Sequence, residues 1–114
     1  MNKLILFTTA LVLAFVSFSF AAETKITADG GNSGDNFGNS VAISGDYAIV
    51  GAYMDDYVVN SSGSAYIFHR SGENWPEQVK LNPTDAASGD RFGNSVAISG
   101  NYAIVGAPKD DDNG

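Results

Sequence analysis

Between residues 37 and 82 the apolar positions fall into four short runs, none of which has the three-to-four spacing of a helix. The first, FGNSVAIS at 37–44, sets bulky Phe37, Val41 and Ile43 against small Gly38, Ser40, Ala42 and Ser44, so one side packs while the other admits a close neighbour. The second, YAIVGAY at 47–53, and the third, GSAYIFHR at 63–70, are apolar on both sides. Ala48, Val50 and Ala52 oppose Tyr47 and Ile49, and Tyr66 and Phe68 oppose Ala65 and Ile67. Strands covered on both faces read this way. Only the fourth, WPEQVKLN at 75–82, alternates plainly, and its Pro76 and Lys80 are devices that protect a sheet edge. Gly45-Asp46 between the first two runs has the chemistry of a type II′ hairpin, and 71–74 makes a looser turn.

The pattern is written twice. FGNSVAISGDYAIVGA at 37–52 returns as FGNSVAISGNYAIVGA at 92–107, and the match extends to 33–56 over 88–111, broken only at Asn36/Arg91, Asp46/Asn101, Tyr53/Pro108 and Met54/Lys109. A repeat at fixed period marks units that cannot bury their apolar faces alone. Three doubly covered strands and a half-exposed outer one, repeated, predict an all-β chain of four-stranded antiparallel blades, a β-propeller fragment. A plain sandwich or meander is the alternative, and it gives no reason for the copy.

The same offset lays TKITADGGNSGD at 24–35 over VKLNPTDAASGD at 79–90. Residues 22–36 are therefore expected to be the outer strand and linker of a preceding blade, 37–91 a complete blade, and 92–114 the first two strands of another. The expected core is Val41, Ile43, Ile49, Val50, Tyr66, Ile67 and Phe68, with Val96, Ile98, Ile104 and Val105 as the matching set. Such a ring is incomplete, and uncovered blade faces imply aggregation or self-association.

Residues 1–21 have the plan of a secretory signal peptide: Lys3, an apolar run over 4–20, then small Ala21 and Ala22, with cleavage expected after Ala21. An uncleaved membrane anchor is the alternative. With the leader removed, no membrane span remains and the chain is expected to be secreted or at the cell surface. There is no cysteine, so no disulfide, thiolate metal site or cysteine nucleophile is available. The net charge of −7 and the scattered Lys and Arg argue against a nucleic-acid partner.

Phe37-Gly38 and Phe92-Gly93 head the first strands, and Gly106-Ala107-Pro108 ends a second strand. With these landmarks in register, the chain resembles the bacterial FG-GAP repeat proteins, related to the repeats of the integrin alpha propeller. The first copy reads Gly51-Ala52-Tyr53 and lacks the proline. The resemblance implies an extracellular or cell-surface propeller for adhesion or protein contact. Integrin-type repeats often carry a calcium loop between the first two strands, but Gly45-Asp46 and Gly100-Asn101 are too short to supply six to eight oxygens.

A second acidic cluster follows the second strand: Asp55-Asp56 in one copy, and Asp110-Asp111-Asp112-Asn113-Gly114 in the other. Asp110 and Asp112 ahead of a Gly echo a calcium loop, so the candidate metal ligands are Asp110 and Asp112, with Asp55 and Asp56 a weaker pair. Any calcium affinity is expected to be weak, about 10⁻⁴–10⁻³ M. A solvated acidic loop is the plainer reading. Asp35 and Asp90, in the recurring SGD, read as turn formers bonding local amides.

No catalytic residue or cofactor site is assigned. His69 is the only histidine, and no Ser-His-Asp set or His pair can be assembled from this chain. The function expected is an exported module binding extracellular protein or glycan. A fragment of a propeller-based hydrolase or lyase is the alternative, and a structural filler blade is a third reading. Asn60-Ser61-Ser62 is a glycosylation sequon.

Overall fold

A computed structural model describes residues 23–111. The leader assignment and Asp112 lie outside the described residues. Six strands form in chain order: β1 (Ser40–Ser44), β2 (Tyr47–Ala52), β3 (Ser64–His69), β4 (Glu77–Leu81), β5 (Ser95–Ser99) and β6 (Tyr102–Gly106). The first four make one antiparallel meander in sequence order, and β5 and β6 make a second, two-stranded sheet. The all-β chain of antiparallel sheets, one of four strands and one of two, is consistent with the expected propeller fragment.

The hairpins follow from their glycines. Gly45 sits at φ +57 and Gly100 at φ +54, while Asp46 and Asn101 do not have positive φ, as a type II′ turn requires. Ser44 then pairs with Tyr47 and Val41 with Val50. In the other sheet Ser99 pairs with Tyr102 and Val96 with Val105.

This register sorts the side chains into two faces. Val41, Ile43, Ala48, Val50, Ala52, Tyr66 and Phe68 share one, termed here the leading face; Ser40, Ala42, Ile49, Gly51, Ala65 and Ile67 share the trailing face. On the leading face Ala48, Val50, Ala52, Tyr66 and Phe68 form a buried cluster, against which Ile26, Ala28, Phe37 and Trp75 pack. Phe37 meets Tyr66 and Phe68 edge-on, with ring centroids at 5.4 and 6.1 Å. Against the trailing face lies β5, in contact with β1 and β2.

That packing produces opposite exposure in identical sequence. SVAIS in β1 half-buries its two serines and its alanine and exposes Val41 and Ile43, whereas SVAIS in β5 half-buries Val96 and Ile98 and exposes the others. Ile49 on β2 is fully buried. The expected core is therefore corrected at Val41, Ile43 and Ile104, which are 65%, 66% and 70% exposed. Their faces meet no neighbouring sheet among the described residues. Ile67, Val96, Ile98 and Val105 are half-buried.

Two further expectations change. Residues 24–28, read as a lone outer strand, join no ladder; they lie across the leading face, where the Asp29 amide donates to Glu77 Oε1 at 2.8 Å. An isolated outer strand has no partner there to supply the bonds that define a strand. Lys80, read as an edge-protecting charge, points inward instead, because it sits opposite Tyr66 on the leading face. A bulge between Ile67 and Phe68 sets Phe68 opposite Glu77.

Candidate functional site

Strand directions place the β2–β3 loop and the link from β4 to β5 at one end of the blade. Backbone bonds tie the two together: Gly89 N donates to Asn60 O (2.9 Å), Arg91 N to Ser61 O (3.2 Å) and Phe92 N to Ser62 O (2.9 Å). The hairpins occupy the opposite end. There Arg70 pairs with Asp46 at 2.5 Å, and His69 stacks on Tyr47 with centroids 4.3 Å apart.

Asp55 organises the loop end. It is nearly fully buried, and its carboxylate accepts the Tyr66 hydroxyl at 2.9 Å, the Tyr57 amide at 2.7 Å and the Lys80 ammonium at 2.8 Å. Burial alone pushes the Asp55 carboxyl up, and it is the largest single influence. Hydrogen bonds from Lys80, Ser64, Tyr66 and the Tyr57 amide together outweigh it and hold the group below the usual carboxylate range. Burial, then the bond to Asp55, push the Tyr66 phenol upward. Lys80 also lies over the Tyr57 ring at 4.1 Å and the Tyr66 ring at 5.2 Å, where the ring faces attract a cation.

The ammonium of Lys80 thus stands where a bound cation would have to stand. Asp56 turns away and accepts the Ser61 amide at 2.6 Å. The two carboxylates serve separate turns of one loop, so Asp55 and Asp56 do not fit a calcium site, which needs several converging oxygens. Among the described residues no group of three or more acidic or histidine side chains converges. Asp110 occupies the place of Asp55 in the second copy, its amide bonded to Ala107 O at 3.1 Å just as that of Asp55 is bonded to Ala52 O at 3.1 Å.

Held at both ends, the β2–β3 loop lifts Tyr57, Val58 and Val59 into solvent, with Tyr57 73% exposed. Asn60 of the sequon is exposed beside them. Sequence reading missed this projection and the role of Lys80. The signal was present in the apolar YVV stretch within an otherwise polar loop.

The landmark glycines belong to the seam between the sheets. Asp35 and Asp90 are buried and accept the amides of Asn32 (2.8 Å) and Ala87 (2.7 Å), closing the turns expected of them. The chain then enters the left-handed region at Asn36 and Arg91, and again at Gly38 and Gly93. Gly93 N bonds to Gly106 O within its own sheet, while Gly93 O accepts the Ser40 hydroxyl of the preceding one at 2.8 Å. A β-carbon on Gly51 would overlap the Gly93 carbonyl, and one on Gly93 would overlap the Ser64 carbonyl. The Gly of one repeat's Phe-Gly and the Gly of the previous repeat's Gly-Ala meet backbone to backbone.

The FG-GAP repeat profile matches residues 20–68 and 75–114. The chain belongs to the FG-GAP repeat family. No curated protein and no solved structure matches it. FG-GAP repeats are typical of extracellular or surface proteins. No helix among the described residues is long and apolar enough to cross a membrane.

Proposed function

We propose that this FG-GAP chain is an exported propeller-type module that contacts extracellular protein or glycan through its loop end. The observation that carries the reading is the Tyr57-Val58-Val59 projection: an exposed aromatic and two exposed valines on a backbone fixed by Asp55 and Asp56. A preformed apolar tip loses little conformational freedom on binding, and aromatic side chains dominate the energetics of such contacts. The acidic surface suits solubility outside the cell.

The test applies the purified chain to a glycan microarray and to immobilised secreted proteins from its own host culture, beside a Tyr57→Ser, Val58→Ser variant with an unchanged circular-dichroism spectrum. Saturable binding that the variant loses supports the reading. Absence of binding, or binding indifferent to the substitutions, contradicts it.

A further inference from the structure

We propose that the chain assembles head-to-tail with copies of itself, the trailing face of β5 and β6 in one copy docking on the leading face of β1 in the next. The proposal rests on the seam already present inside the chain, and it is independent of what the loop end binds.

That internal seam is made by β1 and β2 on one side and β5 on the other. It carries two bonds at matched positions: Ser40 Oγ donates to Gly93 O at 2.8 Å, and Gly100 N donates to Ser44 Oγ at 3.3 Å. Every partner has a counterpart fifty-five residues away. Ser95 and Ser99 repeat Ser40 and Ser44, and Gly38 and Gly45 repeat Gly93 and Gly100. All four counterparts are exposed. Ser95 and Ser99 stand on the trailing face of the second sheet, whereas Gly38 and Gly45 flank β1 on the leading face of the first.

The apolar halves match in the same way. Inside the chain the buried Ile49 side of β2 meets the Val96 and Ile98 side of β5. Among the described residues Ile104, the counterpart of Ile49, and Val41 and Ile43, the counterparts of Val96 and Ile98, are all exposed. Residues 24–28 cover the β2–β3 part of the leading face and leave Val41 and Ile43 open. None of the strands β1, β5 and β6 carries a charged side chain, so the net charge of −7 is spread outside the proposed contact.

A second copy therefore meets a surface that repeats the sequence of the internal seam. The contact is heterologous, joining two different faces, so it propagates until it closes into a ring or continues as a filament.

The test uses single blocks at each end. Sedimentation of the purified chain should show oligomers that grow with concentration. Ile104→Lys blocks the trailing face, and Ile43→Lys blocks the leading face; both positions are exposed in the single chain, so both variants should keep the parent β spectrum. Each alone should stay monomeric up to about tenfold the concentration at which the parent assembles. Mixed, they retain one good face each and should form a discrete heterodimer and nothing larger. Should a lysine variant lose its β spectrum, Ile104→Thr and Ile43→Thr, which keep the β-branch, replace it in the same mixture. A monomeric parent overturns the proposal. So does self-association of either variant alone, which would mean a like-to-like or unspecific contact, and so does a mixture that yields no heterodimer.

Discussion

Ile49 and Ile104 occupy the same position in two near-identical repeats, yet Ile49 is 0% exposed and Ile104 is 70% exposed. The difference is the neighbouring sheet: β5 lies against the face that carries Ile49, and no described sheet lies against the face that carries Ile104. Ile49→Ala should cost about 2–5 kcal/mol, the range for a buried large-to-small change. Ile104→Ala should stay within about 0.5 kcal/mol, as for an ordinary surface substitution, under dilute conditions where copies do not associate. Urea midpoints for the two variants measure the difference.

This contrast shows which parts of the fold are legible in sequence. Strand identity, the Gly45 and Gly100 hairpins and the Asp35 and Asp90 turns depend on residues a few positions apart, and they follow from local chemistry. The burial of Val41 and Ile104 depends on what stands against the blade, which alternation along one strand cannot report. Asp55 looked like a metal ligand because its partners, Tyr66 and Lys80, are brought to it by the meander and by the β3–β4 register. Lys80 looked like an edge residue because solvent and core sides cannot be told apart until that register is known. Residues 24–28 match a strand sequence without the neighbour that would make them one.

Gly51 and Gly106 form a second matched pair. A β-carbon on Gly51 would strike the Gly93 carbonyl, a backbone atom held in the seam, whereas one on Gly106 would meet chiefly the Ser95 hydroxyl, which can rotate away. Gly51→Ala should therefore lose about 1–3 kcal/mol, as overpacking does, and Gly106→Ala clearly less. Thermal unfolding of both variants, with the parent beside them, reads the result.

Asp55 should make stability pH-dependent in a defined direction. Its carboxyl is held below the unfolded value of about 3.9, so the unfolded chain binds more protons in that window and stability rises with pH there. The contribution is complete above that pH and is lost as the solution is acidified through the folded value. Asp55→Asn removes the buried charge opposite half-buried Lys80 and should cost about 3 kcal/mol near neutral pH. The variant should also show a flatter loss of stability below about pH 4 than the parent. Denaturant titrations between pH 2 and 7 follow both effects.

The same substitution separates ion pair from metal. With Lys80 as its partner, Asp55 stabilises the loop without calcium, so the loss on Asp55→Asn should be equal in EDTA and in millimolar calcium. A loss that appears only with calcium present would restore the metal reading at this loop.

The central claim is that consecutive repeats share a backbone-to-backbone seam, and the Phe92 amide reports on it most directly. It donates across the seam to Ser62 O at 2.9 Å. Native-state hydrogen exchange followed by NMR should find the Phe92 amide protected to a degree comparable with the amides of central strand β2. Rapid exchange at Phe92 while β2 remains protected would mean that the second repeat does not dock on the first, and would contradict the account.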